Sequence, residues 1–144
     1  MPSGTCGSFA ELPSPLMEVV EDARRAVLAT LDARGRPHTV PVCFAIVEGQ
    51  VASALDHKPK SGSTLARVRN VRANPIATFL FDRWSEDWQQ LAWVMVRGPA
   101  RVEAPGWGVE ALVDRYPQYR EATPDGDVIV VRPDRIVFWT YRPL

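Results

Sequence analysis

Residues 26 to 55 form three apolar stretches separated by two segments with the composition of tight turns, and in the middle stretch Val40, Val42, Phe44 and Ile46 alternate so as to share one face. A period of two is typical of β-strands that have one buried face. Gly35 lies in the first turn, and the pair Glu48-Gly49 has the composition of a tight hairpin turn. The pattern therefore predicts an antiparallel meander of three strands, over residues 26–31, 38–47 and 50–55.

More short strands follow in the second half of the chain. Apolar runs predict strands over residues 76–81 and 91–103. Two further strands are predicted, one before and one after the turn at Arg132-Pro133-Asp134. Gly98-Pro99, inside the longest of these runs, predicts a bulge or a bend. In total the sequence predicts six or seven strands.

Few helices accompany these strands. Apolar residues at helical spacing predict a helix over residues 14–25, with Ser14 as its N-cap and Pro15 at its first position. A second helix is predicted over residues 63–74, where Pro75 stops it, and a short third one within 105–119. Many short strands with two or three helices predict a mainly β fold, a small β-barrel with peripheral helices.

The length of 144 residues fits one domain over 1–144, in which the small and polar residues 1–12 are expected to be a flexible tail. No run of 18 apolar residues predicts a membrane span, and no basic segment precedes an apolar one at the N-terminus. Cys6 and Cys43 are too few for a disulfide framework, which favours a cytoplasmic protein that does not bind membranes.

The net charge is zero, with 17 basic and 17 acidic residues, and this argues against nucleic-acid binding. The charge is unevenly distributed, however, because no acidic residue lies between Asp56 and Asp82. A positive window inside a neutral chain indicates a small anionic ligand, and the alternative is a solvated basic helix face. The basic residues of this window are Lys58, Lys60, Arg67, Arg69 and Arg72.

Lys58 and Lys60 are the only lysines of the chain, since its other basic residues are arginines. The hydroxyl side chains of Ser61, Ser63 and Thr64 follow them, directly before or at the start of the predicted second helix. Phosphate is held by such a combination of hydroxyls, flexible ammonium groups and the free amides of a helix start. The segment is therefore a candidate phosphate site, and the alternative is an ordinary surface loop.

Pro41 lies in the middle of an apolar strand, although proline cannot donate a hydrogen bond to a neighbouring strand. It is therefore expected at a sheet edge or beside an opening. There Val40 and Val42 would present free backbone groups to a flat ligand, and the alternative is an ordinary edge strand.

The remaining candidates are aromatic residues and histidines. Trp84 and Trp88 lie in the polar segment "DRWSEDWQQ", where aromatic residues line pockets or subunit contacts. His38 and His57 are far apart and lack the spacing of a zinc site, so no metal is predicted. No nucleotide-binding loop, nucleophile motif or acid–base pair assigns a catalytic residue.

The order of these segments resembles the pyridoxamine 5′-phosphate oxidase-like, split β-barrel flavin and deazaflavin oxidoreductases. The segments that carry the resemblance are "LATLDARGRPHTVPV" and "RNVRANP", followed by "LAWVMVRGPARVE". "HKPK", "DRWSEDWQQLAWV" and "YPQYR" are most similar to the subgroup that uses the deazaflavin F420. The resemblance covers about residues 25–141.

The resemblance implies a homodimer with cofactor grooves between its subunits. In this family the cofactor ring lies along two strands, and the phosphate is held by the segment after the second strand. The family pattern thus assigns Val40, Pro41 and Val42 to the ring and Ser53 to the ribityl chain. The residues that it assigns to binding the phosphate or the polyglutamate tail are Lys58, Lys60, Thr64 and Arg67. It also implies that either Trp88 or Trp93, from the partner subunit, closes the pocket.

The function that the resemblance implies is an F420-dependent oxidoreductase, which transfers a hydride between the reduced deazaflavin and a small organic acceptor. The phosphate-binding arginine of the flavin mononucleotide (FMN) oxidases has no counterpart in "GQVASAL", and their C-terminal extension has none either. The alternatives are an FMN enzyme of the same fold and a non-catalytic protein that binds the cofactor or haem.

Overall fold

The computed structural model of the chain describes residues 3–56 and 65–144, and within them nine antiparallel strands pair into one sheet. The strands are β1 (Ser3–Cys6), β2 (Ala26–Leu31), β3 (Pro37–Val42), β4 (Ala45–Val47), β5 (Gln50–Ala54), β6 (Ile76–Arg83), β7 (Ala92–Glu103), β8 (Val128–Val131) and β9 (Arg135–Thr140). The helices are α1 (Ser14–Asp22), α2 (Ala66–Ala73), α3 (Val109–Arg115) and α4 (Pro117–Glu121). Short 3₁₀ turns cover Phe9–Glu11 and Trp88–Gln90.

Strand β7 organises the sheet because it changes partner along its length. One edge pairs with β6, while the other edge pairs with β9 over residues 92–97 and with β8 over residues 100–103. The change falls at Gly98-Pro99, so the bend that the sequence predicts there is a change of partner. Gly98 is required because a Cβ atom at this position would lie 1.9 Å from the backbone oxygen of Arg132.

The two ends of the strand order are neighbours in the chain. The order is β3-β2-β6-β7-β8-β5-β4, yet only residues 43 and 44 separate β3 from β4. The sheet therefore curves until its ends meet, and it remains open because β3 and β4 do not pair with each other. This arrangement confirms the mainly β, split-barrel fold with peripheral helices.

The single strand predicted over residues 38–47 is wrong, because it is interrupted at this point. Phe44 is fully buried, and its ring meets that of Phe81 edge to face, with 4.7 Å between ring centroids. Its amide donates to the Tyr116 hydroxyl at 3.1 Å instead of to a neighbouring strand. Because the Phe44 side chain is buried and its amide bonds to Tyr116, β3 ends before this residue and β4 starts after it in a new direction.

The core lies on the inner face of the curved sheet. Alternate residues of the central strands point into it, among them Leu28, Phe79 and Val94, all fully buried. Helix α1 packs on this core through Leu16 and Val20. Among the described residues no helix has the length and apolar character needed to cross a membrane.

The helix bounds differ in detail from the prediction. Helix α1 begins at Ser14, and Pro13 occupies the N-cap position without a side-chain hydrogen bond, so Ser14 is the first helical residue and not the N-cap. Helix α2 begins at Ala66, after Leu65, and the predicted start at residues 63 and 64 lies outside the described residues. The helix expected within 105–119 is divided into α3 and α4 at Tyr116, which is extended before Pro117.

The flexible tail predicted for residues 1–12 is wrong from Ser3 onwards. Residues 3–6 form β1, which pairs with β9, and Gly4 lies against the ring of Phe138. Cys6 and Phe9 pack against the core. A strand of small polar residues has no apolar pattern that would predict it, because backbone hydrogen bonds alone can hold it in the sheet.

Candidate functional site

A cleft of about 270 Å³ opens where the two ends of the sheet meet. We call it the edge cleft. One wall is the end of β3, the other is the end of β5 and the residues after it, and helices α2 and α4 contribute one side chain each. The lining residues are Arg25, Pro41, Val42, Cys43, Ser53, Ala54, Asp56, Arg67 and Tyr119.

Strand β3 is an edge strand that pairs only with β2 among the described strands, which explains how it tolerates Pro41. Pro41 is exposed and lies opposite Val27. Its free side faces the cleft, where a missing amide costs no hydrogen bond. Both parts of the expectation for Pro41, a sheet edge and an opening, therefore hold at this position.

Arg67 brings a positive charge into the cleft from the first turn of α2. Its side chain is half-buried, and this burial lowers the pKa of the guanidinium, while Asp56 acts in the opposite direction. An arginine keeps its proton under such conditions. A desolvated cation with a single nearby carboxylate attracts an anion more strongly than an exposed one does.

Tyr119, on α4, fixes the carboxylate of the cleft. Its hydroxyl donates to Oδ1 of Asp56 at 2.7 Å. Burial, followed by the hydrogen bond to Asp56 and the contact with Cys43, raises the pKa of Tyr119 well above its usual value. The tyrosine is therefore a permanent donor, and Asp56 stays oriented beside Arg67.

Four of the ten residues predicted to bind a cofactor come together in the edge cleft. They are Pro41, Val42, Ser53 and Arg67. The side chain of Val40 packs against the core instead. Lys58, Lys60 and Thr64 lie outside the described residues.

The two predicted tryptophans lie away from this cleft. Trp88 is 57% exposed and meets Tyr141 edge to face. Trp93 lies on the outer face of β7, where it pairs with Trp139 of β9. Neither residue lines the edge cleft of its own chain.

The arginines of the basic window lie at different places in the folded chain and do not form one site. Arg67 enters the edge cleft near Asp56, while Arg72 approaches Asp127, with 3.7 Å between Nη2 and Oδ2. Arg69 lies on another face of α2. Although the window itself contains no acidic residue, Arg72 is offset by a carboxylate from a distant part of the chain.

Sequence reasoning did not identify Arg25, Cys43, Asp56 and Tyr119 as residues of the site. A signal was present for two of them. Asp56 directly follows a predicted strand, at the start of the basic loop, and Tyr119 lies in the "YPQYR" segment that carries the family resemblance. Arg25 and Cys43 carry no comparable signal, because only the curvature of the sheet brings them to the cleft.

Comparison with protein families identifies the class of this chain. Residues 12–140 match the family model described as pyridoxamine 5′-phosphate oxidase, so the chain belongs to this family. None of the curated proteins matches the chain.

Solved structures with the same fold differ widely in sequence. A conserved hypothetical protein from Mycobacterium tuberculosis has a TM-score of 0.69 and 19% identity over 87% of this chain and 82% of that one. A haem-binding protein from Mycobacterium smegmatis has a TM-score of 0.66 and 20% identity, over 92% and 57%. The haem storage protein HutZ from Vibrio cholerae has a TM-score of 0.65 and 14% identity, over 86% and 90%. At such identities the likeness establishes the fold alone.

Proposed function

We propose that the chain is a cofactor-dependent oxidoreductase that binds the deazaflavin F420 at the edge cleft and transfers a hydride to or from a small organic molecule. One observation carries this proposal. The cleft brings the free edge of β3, at Pro41 and Val42, next to a half-buried cation, Arg67. A flat ring that bears an anionic tail needs both kinds of surface.

The residues of the cleft fit part of such a cofactor. A cleft that encloses a drug-sized ligand has a volume of about 300–1,000 Å³. At about 270 Å³ the edge cleft accommodates one portion of the cofactor, and the rest must extend beyond it. Arg25 and Arg67 supply positive charge and Ser53 supplies a hydroxyl, which suits a polyhydroxylated chain that ends in phosphate.

The chain contributes binding and orientation to this chemistry. When bound, the deazaflavin supplies the hydride, as cofactors do for reactions that side chains cannot perform. Arg67 holds the anionic part, the β3 edge fixes the position of the ring, and the Tyr119–Asp56 hydrogen bond keeps Asp56 in place beside the cation. Tyr119 cannot act as a base, because its proton is retained at any physiological pH.

We further propose that the protein is a homodimer and that the outer face of the sheet is the interface. A row of apolar side chains crosses this face from strand to strand, following the registers of β3, β2, β6, β7 and β9. The row consists of Pro41, Val27, Leu80, Met95 and Val137. Because it begins at Pro41, a second copy seated on it would border the edge cleft and extend it.

Replacing Leu80 with aspartate is expected to convert the dimer into monomers. Leu80 is 36% exposed and lies in the middle of the apolar row, so each copy would bury an unpaired charge. Analytical ultracentrifugation should give twice the chain mass of 16.1 kDa for the native protein and the single mass for Leu80→Asp. Leu144→Asp is the control, since Leu144 is exposed at the C-terminus. A native monomer, or a dimeric Leu80→Asp variant, would contradict the proposed interface.

Parallel fluorescence titrations of the purified protein with F420, FMN and haem test the cofactor assignment. We expect saturable binding of F420 with the highest affinity, followed by turnover with a quinone or nitroaromatic acceptor. Tighter binding of FMN would favour the flavin enzyme. Binding without turnover, or a preference for haem, would favour the non-catalytic alternative.

The double variant Lys58→Ala/Lys60→Ala should bind F420 at least tenfold more weakly, a loss of about 1.4 kcal/mol. Both lysines follow Asp56 in the sequence, and their ammonium groups are proposed to hold the tail of the cofactor. The matched control is Arg132→Gln/Arg135→Gln, which removes two exposed positive charges from outside the cleft. If both double variants lose the same affinity, the effect belongs to overall charge and not to this loop.

A further inference from the structure

A second and larger cleft, of about 650 Å³, lies between the β2–β3 turn and helix α2. We call it the hairpin cleft. Among the described residues the two clefts share no lining residue, because they use different faces of α2. Arg67 faces the edge cleft, whereas Arg69, Asn70 and Ala73 face the hairpin cleft.

Two asparagines of this region hold the walls of the hairpin cleft together. Nδ2 of Asn70 donates to Oγ1 of Thr30 at 3.0 Å, and both residues are buried. Nδ2 of Asn74 donates to the backbone oxygen of Asp32 at 2.8 Å. The distance between α2 and the turn is therefore fixed before any ligand binds, which lowers the entropic cost of binding.

The turn itself is equally well ordered. Oδ1 of Asp32 accepts the amides of Arg34 and Arg36, each at 2.9 Å, and Oδ2 accepts Nε of Arg36 at 2.7 Å. The amide of Arg36, above all, holds the pKa of Asp32 below its usual range, so the carboxylate remains charged. Asp32 engages only the backbone of Arg34, and the guanidinium of Arg34 makes no hydrogen bond to any described residue.

The lining combines positive charge with small apolar residues. Arg34, Arg36 and Arg69 face the cleft, and Asp32 is the one acidic residue among the lining residues that the structure describes. His38 also lines it, and Nδ1 of this ring is buried with no hydrogen-bond partner among the described residues. A buried polar atom without a partner is uncommon. Because Nδ1 is closed off from solvent, a ligand in the cleft meets only the other atoms of the ring.

The rest of the lining includes small and apolar side chains, three of them exposed, which leave room for an organic group. These are Ala33, Pro37, Ala66 and Ala73. Guanidinium groups bind phosphate with paired hydrogen bonds, and more than one positive charge matches a phosphate dianion. We propose that the hairpin cleft binds a small organic phosphate monoester, with its phosphate at the arginines and its apolar body against these small side chains.

Phenyl phosphate is a suitable probe, because it combines a dianion with a small apolar ring. Calorimetric titration of the full chain should show binding, and the amide signals of Ala33, Ala66 and Ala73 should shift in NMR spectra. Arg34→Gln should weaken the affinity at least fivefold, while Arg132→Gln, an exposed arginine outside the cleft, should leave it unchanged. Arg34→Gln keeps the backbone amide that Asp32 accepts, so the turn is retained.

The same titration separates this site from the edge cleft and from simple apolar binding. Arg67→Gln should leave phenyl phosphate binding intact, and phenol, which is neutral, should not bind. The proposal is overturned if phenyl phosphate does not bind at millimolar concentration, or if Arg34→Gln binds it as well as the native protein does. It is equally overturned if Arg67→Gln abolishes the binding, or if phenol binds as tightly.

Discussion

Replacing Gly98 with alanine is expected to lower the melting temperature by about 10 °C, which corresponds to a loss of roughly 3 kcal/mol for a chain of this size. The Cβ atom would lie 1.9 Å from the backbone oxygen of Arg132 and 3.1 Å from the amide nitrogen of Asp134. Backbone atoms cannot turn aside as a flexible side chain can. The turn between β8 and β9 would therefore have to move away from β7.

The cost is high because this turn is held on β7 by two hydrogen bonds. The Arg132 amide donates to the Pro99 oxygen at 3.1 Å, and the Asp134 amide donates to the Arg97 oxygen at 3.0 Å. Both bonds weaken when the turn shifts, at the point where β7 changes partner. Thermal unfolding monitored by circular dichroism measures the effect.

Gly7→Ala is the control for this experiment. A Cβ atom at Gly7 would meet no atom closer than 4.0 Å, and the backbone there is not in the left-handed region. We expect a change in stability below about 0.5 kcal/mol for this variant. If Gly98→Ala had the same melting temperature as Gly7→Ala, the close contact between the β8–β9 turn and β7 would not exist in solution.

Replacing Arg67 with glutamine should weaken F420 binding about thirtyfold, equivalent to roughly 2 kcal/mol, the range for a hydrogen bond that involves a charged group. The large effect follows from the half-buried position of the guanidinium in the edge cleft. Glutamine retains a donor and much of the side-chain volume but removes the charge. The loss should therefore be in affinity, with the fold preserved.

Arg72→Gln provides a matched control from the same helix. It removes an equal charge, but Arg72 pairs with Asp127 on the surface and does not line the edge cleft. Its effect on the dissociation constant should stay below about twofold, as expected for an exposed pair. If both variants lost the same affinity for F420, the effect would come from the overall positive charge of the protein. If Arg67→Gln lost no affinity, the cofactor would bind elsewhere.

The alternation of residues predicted most of the fold. Strands β2, β5, β7, β8 and β9 lie within segments where apolar runs or alternation were visible, and β6 continues two residues beyond its predicted end, to Arg83. The interruption at Phe44 was not predictable, because the alternation continues unchanged through this residue and only the packing against Phe81 and Tyr116 ends the strand. The strand β1 was missed because its residues are small and polar.

The candidate site was only partly predictable for a related reason. Pro41 conflicted with its own strand, and this local conflict marked the edge cleft. Asp56 and Arg67 are near in the sequence, but Tyr119 and Arg25 join them only when the sheet curves. The Asp127 partner of Arg72 likewise comes from a distant segment, so counting charges within a window overestimated the free positive charge.

The two-residue connection between β3 and β4 limits how far these two unpaired ends of the sheet can move apart. A fully extended chain spans at most about 3.6 Å per residue, so Val42 and Ala45 can never be more than roughly 11 Å apart. The covalent chain thus acts as a tether at one end of the edge cleft. A bulky molecule can enter only from the untethered end, and any tightening around it must come from side chains or from a second subunit, not from separation of the strands.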